Sequence, residues 1–165
     1  MTNITILPAT KDQLTQLHAI LVECSIWLKK KKINQWQPVY HKSRFTQEVL
    51  KNYVYACFTE RKLIGTVTLL PHKPDYYPFG IWNNDTSALY ICRLAIMREY
   101  VHRTYGKEII YMIEQLAKDQ GIAALRLDIT PHNNFLKEYY LSLGFVQRFS
   151  HLDLRESFFF EKVVV

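Results

Sequence analysis

Two stretches of this 165-residue chain hold residues in an order that could do chemistry. In the first, ALYICRLAIMREYVHRTYGKEII (Ala88–Ile110), an apolar run gives way to Arg98, His102 and Arg103 and turns at Gly106 into an amphipathic segment. A strand that delivers a basic loop to a helix N-terminus can hold an anion. The N–H groups of the first helical turn lack intrahelical partners, and the helix dipole puts its positive end there. In the second stretch, Pro131–Phe145, Asn133 stands at the mouth of a short strand, a tyrosine pair (Tyr139, Tyr140) lies in the following helix, and Leu143-Gly144-Phe145 closes it.

The elements that must position these residues can be read from periodicity. Leu89, Ile91, Leu94 and Ile96, with β-formers between them, predict a strand packed on both faces. Ile109, Ile110, Ile113, Leu116 and Ala117 recur at helical spacing, and Gly121 ends that run. Leu125–Ile129 is the short strand that leads to Asn133.

Residues 88–145 resemble the GNAT superfamily of acetyl-CoA-dependent N-acetyltransferases, and Trp27 followed by Ile33-Asn34-Gln35-Trp36 is similar to a feature of its small bacterial members. Leu94-Ala95-Ile96 matches the family's Leu-Ala-Val, Asn133 its asparagine, Tyr140 its tyrosine and Gly144-Phe145 its ending, the last three without gaps. The family's Arg/Gln-x-x-Gly-x-Gly slot falls on Val101-His102-Arg103-Thr104-Tyr105-Gly106, where only the final glycine survives. A Thr104 forced into left-handed backbone would cost about 1–2 kcal/mol. The amides remain, and His102, Arg103 and Lys107 add positive charge.

The resemblance implies an α/β (α+β) fold: a mixed, largely antiparallel central sheet of six to seven strands, helices on both faces and central strands splayed apart. It implies acetyl-CoA as co-substrate. Backbone groups of Leu94, Ala95 and Ile96 would lie along the pantetheine arm, the amides from Val101 through His102, Arg103, Thr104, Tyr105 and Gly106 to Lys107 would face pyrophosphate, and the Asn133 side chain would meet the arm. Tyr140 would be the general acid, since a phenol with a pKa of about 10 stays protonated at neutral pH and can donate to a departing thiolate. Tyr139 points about 100° away on the helix and reads as structural. Trp27 and Trp36 could line an acceptor pocket or fill core. His72, Asp75, Asp85 and Glu23 are the carboxylates and imidazole considered as bases, each with an ordinary solvated role as the competing reading.

Bulk properties agree with one globular domain over residues 1–165: hydrophobic residues make up 48% and aromatics 14%, enough for a real core. Cys24, Cys57 and Cys92 are odd in number, widely spaced and in apolar contexts, so no metal spacing or disulfide framework emerges, and Cys92 reads as core rather than nucleophile. The first residues lack a signal-peptide pattern and no run approaches a membrane span, which predicts a cytoplasmic protein without a membrane partner. A net charge of +6 favours encounter with anions, and a polyanionic cofactor accounts for it without nucleic acid. Lys29–Lys32 reads as a solvated helix end, with an RNA or acidic-protein contact as the competing reading.

Along the rest of the chain, Ile4–Leu7 predicts a strand, and Thr10-Lys11-Asp12-Gln13 a capping box opening a helix that carries Leu14, Leu17, Leu21, Ile26 and Leu28. Arg44–Tyr53 predicts a short helix with Phe45, Val49 and Leu50 inward. Val54–Thr59 and Leu63–Leu70 predict a hairpin across Glu60-Arg61-Lys62. Pro71–Ser87 is a long loop whose Tyr76, Tyr77, Phe79 and Trp82 call for a packing surface, in the fold or in a homodimer. Val146–Leu154 and Phe158–Val164 predict closing strands across Arg155-Glu156-Ser157. The leading expectation is acetyl transfer to a primary amine of a small molecule by direct attack in a ternary complex. The alternatives are the same chemistry on a protein or aminoacyl-tRNA amine, a non-catalytic CoA sensor, and an interaction protein without cofactor.

Overall fold

A computed structural model describes residues 3–82, 85–101, 104–148 and 157–164. His102, Arg103 and the expected strand and turn residues 149–156 lie outside the described residues. Among the described residues are seven strands and four α-helices, in the order β1 (Ile4–Pro8), α1 (Leu14–Lys30), α2 (Lys42–Leu50), β2 (Val54–Thr59), β3 (Lys62–Leu70), β4 (Ala88–Ile96), α3 (Tyr105–Asp119), β5 (Ala124–Ile129), α4 (Asn134–Ser142), β6 (Val146–Arg148) and β7 (Phe158–Val163). The sheet order is β1-β2-β3-β4-β5-β7-β6. The β1–β2, β2–β3, β5–β7 and β6–β7 pairs are antiparallel and β4–β5 is parallel. This is the mixed, mostly antiparallel sheet expected. The chain divides into two compact units, Met1–Leu69 with Arg93–Ile113, and Leu70–Cys92 with Glu114–Val165, and β4 contributes to both.

In the first unit, α1 buries Leu17, Ile20, Leu21, Cys24 and Leu28, a stripe at helical spacing, and leaves Ile26 outside. Its entry is the expected capping box: the Thr10 N–H donates to Gln13 Oε1 (2.9 Å) and the Gln13 N–H to the Thr10 carbonyl (3.1 Å). Lys29 and Lys30 occupy the last turn, where cations suit the dipole. The buried α1 residues pack with Phe45, Val49, Val54, Ala56 and Ala95 into one core cluster. α2 turns Phe45 and Val49 inward but not Leu50, which is 46% exposed. The reading of Leu50 as core is corrected here: one residue beyond Val49 the helix has rotated about 100°, off the apolar stripe, and a single exposed leucine costs little. The hairpin turn has two residues rather than three. Glu60 (φ 47°) and Arg61 (φ 67°) both take left-handed backbone, and Thr59 pairs with Lys62, the geometry that matches strand twist.

In the second unit, β5 pairs with β7 along its whole length, from Ala124↔Val163 to Ile129↔Phe158. Gly121 (φ 67°) ends α3 and Gly144 (φ 86°) ends α4, both in the left-handed region that glycine enters without a Cβ penalty. The long loop 71–87 folds onto its own unit. Tyr77 is buried and sits edge-on to Phe159 (4.9 Å) and Tyr90 (5.8 Å), with Trp82 alongside, whereas Phe79 remains 84% exposed. Beneath it, Arg126 and Glu161, each 3% exposed, form an ion pair of 2.7 Å; Arg126 also donates to the Tyr90 hydroxyl, and Arg148 to Glu161.

Candidate active site

The β4–β5 ladder is three rungs long. It registers Ala88↔Ala124, Leu89↔Leu125 and Tyr90↔Arg126, while the strands run on to Ile96 and Ile129. The ladder lies within the second unit and ends at that third rung. β4 breaks its own geometry at Arg93, a non-glycine residue with φ 48° in mid-strand. Left-handed backbone costs such a residue on the order of 1–3 kcal/mol, so the surroundings must enforce it. They do: the Arg93 guanidinium donates to Glu48 Oε2 (2.6 Å) and lies 3.8 Å from the Tyr40 ring centroid, while the Tyr40 hydroxyl holds the other Glu48 oxygen (2.9 Å). Burial and the Glu48 carboxylate push the Tyr40 phenol up, against the pull of Arg93, so it stays a donor.

Past Arg93 come Leu94, Ala95 and Ile96, the strand residues singled out for the cofactor arm. The Met97 N–H donates to the Ile64 carbonyl (2.8 Å) and the Cys24 thiol to the Ile96 carbonyl (3.4 Å). Gly65 makes the close passage of β3 possible, since a Cβ there would stand 2.5 Å from the Ala95 carbonyl oxygen. The chain then makes a single 3-10 turn, Arg98–Tyr100. Arg98 donates its N–H to Glu23 (3.1 Å) and stacks its guanidinium 3.8 Å over Trp27. Glu23, Ile26, Trp27, Lys30 and Arg98 line an open depression of about 200 Å³. Trp36, by contrast, packs against the first unit's core and accepts the Ser25 hydroxyl on its carbonyl (2.8 Å).

α3 starts at Tyr105, so Gly106 and Lys107 lie in its first turn rather than ahead of it. Gly106 does not take positive φ. The Thr104 hydroxyl and carbonyl both engage Glu108, which ties that carboxylate to the protein. N–H groups of Tyr105, Gly106 and Lys107 thus begin a 15-residue helix, the donor set that a diphosphate needs. On this count the residues present fit coenzyme A.

In the second unit Asn133 caps α4, its Oδ1 accepting the Leu136 N–H (3.1 Å). One helical face beyond it, Tyr140 is 7% exposed and packs against Phe145 (5.5 Å), Tyr139 (5.3 Å) and Phe160 (6.4 Å). Its hydroxyl has no hydrogen-bond partner among the described residues. Burial, then Tyr139, then Asp128 hold this phenol far above its ordinary value. Burial pushes neighbouring Tyr139 up to about 12; its ring is half-buried and stacks on exposed Phe135.

The bases considered from sequence do not gather at one place: His72, Asp75 and Asp85 are on exposed loop positions, and Glu23 is used by Arg98. Sequence reasoning missed Asp128, which accepts hydrogen bonds from Tyr77 (2.8 Å) and Tyr76 (3.1 Å). A signal existed: Arg126 and Asp128 put two charges on one face of a strand expected to be buried. The three cysteines form no disulfide with one another and are buried, with burial raising Cys24 to about 11 and Cys57 to about 12. Among the described residues no group of metal-ligating side chains gathers, and no helix is long and apolar enough to cross a membrane.

The chain carries a mixed sheet with one parallel pair, a helix that starts soon after β4 and, in the second unit, a buried phenol, the parts of an acyl-transferring enzyme. The model of the Acetyltransferase (GNAT) family matches residues 15–145, and the chain belongs to that family. The uncharacterized N-acetyltransferase YesJ of Bacillus subtilis (strain 168) is 24% identical over 162 residues, covering 95% of this chain and 88% of that protein. Among solved structures, a GNAT-family acetyltransferase of Listeria monocytogenes superposes with a TM-score of 0.82 at 19% identity, covering 97% of this chain and 94% of that one. The PaiA N-acetyltransferase of Thermoplasma acidophilum, solved in complex with coenzyme A, superposes with a TM-score of 0.74 at 21% identity, covering 98% and 99%. The protein is an acetyltransferase with acetyl-CoA as co-substrate.

Proposed function

We propose that the protein acetylates a primary amine of a small molecule by direct attack in a ternary complex, with Tyr140 as the acid that meets the leaving sulfur. Backbone groups of Leu94, Ala95 and Ile96 lie along the cofactor arm in this reading. Amides from Val101 to Lys107 serve the diphosphate, and Asn133 meets the arm with its side-chain amide. Of the two tryptophans, Trp27, which lines an open depression, is the better placed for an acceptor contact than core-packed Trp36.

Bound acetyl-CoA supplies an activated thioester. The chain's residues supply position, and position is worth much of the rate. The acceptor must arrive as a neutral amine, its extra proton passing to water. As nitrogen bonds to the carbonyl carbon and the C–S bond breaks, negative charge gathers on sulfur. A phenol of raised pKa does not surrender its proton to a relaxed thiolate, whose conjugate acid titrates near 8.5–9 by the cysteine scale. It offers a hydrogen bond to sulfur while the charge develops, and the proton that the nitrogen sheds on becoming an amide reaches sulfur through water and this hydroxyl, so the phenol is neutral before and after.

The observation that carries this reading is Tyr140: a buried phenol, held in its neutral form, with a hydroxyl uncommitted among the described residues. The test is thiol release from acetyl-CoA with a panel of small amines against an acceptor-free control, alongside thermal melting with and without acetyl-CoA. A ligand selective for the native state must raise the melting temperature. Stabilisation without turnover on any small amine would favour a sensor or a macromolecular acceptor instead.

A further inference from the structure

We propose that Arg93 is a positioning residue for acetyl transfer: clamped by Glu48 and Tyr40, it keeps one residue of β4 in left-handed backbone and so fixes the peptide groups of Leu94, Ala95 and Ile96 that face the cofactor arm. The inference rests on the acetyl-transfer reading above and says which side chains hold its strand in place.

A regular strand keeps every residue extended, and Arg93 departs from that with φ 48° inside Ala88–Ile96. Its Cβ resists this region, and it lacks the short polar side chain with which Asn or Asp eases a local left-handed turn. A second cost falls on the same residue. The Arg93 Nε–H is buried and has no acceptor among the described residues, so the desolvation of that donor is uncompensated. Packing requires neither feature, since an apolar residue in extended backbone would fill the place without strain or a stranded donor. Strain of this kind persists only where the surroundings over-determine it, and it gathers where function needs an unusual backbone.

The surroundings here do over-determine it. Glu48 divides its carboxylate: Oε2 accepts from Arg93 Nη2 (2.6 Å) and Oε1 from the Tyr40 hydroxyl (2.9 Å), with only 12% and 14% of the Arg93 and Glu48 side chains exposed. The guanidinium also lies 3.8 Å from the Tyr40 ring centroid, so its plane is held as well as its charge. Tyr40 is tied in turn to α1, its carbonyl accepting from His18 Nε2 (2.8 Å), and Glu48 belongs to the helix that Phe45 and Val49 anchor in the core. Beyond Ile96 the strand is held again. The Met97 N–H donates to the Ile64 carbonyl (2.8 Å), the Cys24 thiol donates to the Ile96 carbonyl (3.4 Å), and Gly65 admits the Ala95 carbonyl at close range. Leu94, Ala95 and Ile96 are thus pinned at both ends. Backbone groups fixed in this way meet a reacting thioester without reorganising, and a misplacement of about 1 Å can cost about 10²-fold in rate.

The competing role for the clamp is stability alone. Glycine separates the two, because it enters left-handed backbone without a Cβ penalty and needs no clamp to stay there. Arg93→Ala removes the clamp and keeps a Cβ, so β4 relaxes towards extended backbone; Arg93→Gly removes the same contacts and leaves the turn within reach. The assay is initial-rate thiol release at saturating acetyl-CoA with the best amine of the panel, circular dichroism showing that each variant is folded at the assay temperature. The kcat of R93A is expected to fall about 10- to 100-fold, and R93G to exceed R93A by at least about 5-fold. Glu48→Gln should lower kcat about 10-fold in the wild-type background but less than about 2-fold in R93G, since Glu48 acts through residue 93. Equal kcat in R93A and wild type, no recovery in R93G, or an equal effect of E48Q in both backgrounds overturns the inference. Failure of R93G to fold overturns it too, by assigning the clamp to stability. If R93A alone fails to fold, E48Q in the two backgrounds decides. If wild type releases no thiol from acetyl-CoA with any amine, the acetyl-transfer reading falls and this inference with it; turnover that is indifferent to these variants sinks this inference alone.

Discussion

Replacing Tyr140 with phenylalanine removes one oxygen and leaves every packing contact the ring makes. The ring touches Phe145, Tyr139 and Phe160, and none of these contacts uses the hydroxyl. The oxygen has no hydrogen-bond partner among the described residues, so deleting it strands no donor or acceptor there. The expected change in folding stability is therefore within about 0.5–1 kcal/mol, the range of substitutions that break no network. The chemical step is another matter. A hydrogen bond to a charged group contributes about 1.5–3 kcal/mol, and general acids as a class about 10²–10⁴-fold, which together place the loss of kcat near 10²-fold. The KM for acetyl-CoA should move little, because the bond forms as charge appears on sulfur rather than in the ground state. The assay is initial-rate thiol release at saturating acetyl-CoA, with calorimetric melting of both proteins as the control. Since burial lifts the phenol far above its usual range, no alkaline limb of the wild-type kcat profile below about pH 10 should vanish in Y140F. A variant that keeps kcat within 3-fold, of about the size expected for packing alone, would remove Tyr140 from the chemistry.

Three further outcomes follow from packing and charge. Gly65→Ala drives a Cβ to 2.5 Å from the Ala95 carbonyl; it should cost about 1–3 kcal/mol and weaken acetyl-CoA binding, read by melting and titration calorimetry, and native-like values for both would mean the two strands separate freely there. Glu161→Gln leaves Arg126 buried without its anion and should cost about 3–5 kcal/mol in denaturant unfolding, because the penalty of the unpaired charge remains. Cys57 keeps its proton in the folded state up to about pH 12, whereas the unfolded thiol loses it from the ordinary value of 9.0. The unfolded chain then binds fewer protons, so stability is intact below pH 9 and falls as pH rises from there toward 12; Cys57→Ala should flatten that slope by no more than about 1.4 kcal/mol per pH unit, and an unchanged slope would refute the burial argument.

Much of the scaffold was legible because local rules and tertiary packing agree. The α1 stripe, the Thr10–Gln13 capping box and Val54–Thr59 appear where periodicity and capping chemistry put them. Asn133 and Gly144 were legible for a second reason: they do structural work at the ends of α4, as N-cap and left-handed cap, that any sequence needs at those places. The errors came where rotation or turn geometry decides by one residue. Leu50 is apolar but lies off the stripe, and the hairpin at Glu60-Arg61 relies on two left-handed non-glycine residues that carry no turn signature.

The long-range polar contacts were the least legible, and for one physical reason. Arg93 reads as one more residue of an apolar strand; its left-handed backbone is imposed by Glu48 and Tyr40, which lie more than forty positions away in sequence. Asp128 reads as the polar member of an alternating strand; what sets it apart is a pair of phenols brought from the loop after β3. Neither partner can be found by a window that slides along the chain, because both are fixed by strand register and by how a long loop folds back. A spacing such as Asn133–Tyr140–Gly144 reports groups whose position one helix determines by itself. The cluster of Tyr76, Tyr77 and Asp128 is assembled from separate segments, so it shows only once the loop after β3 has folded back onto β5.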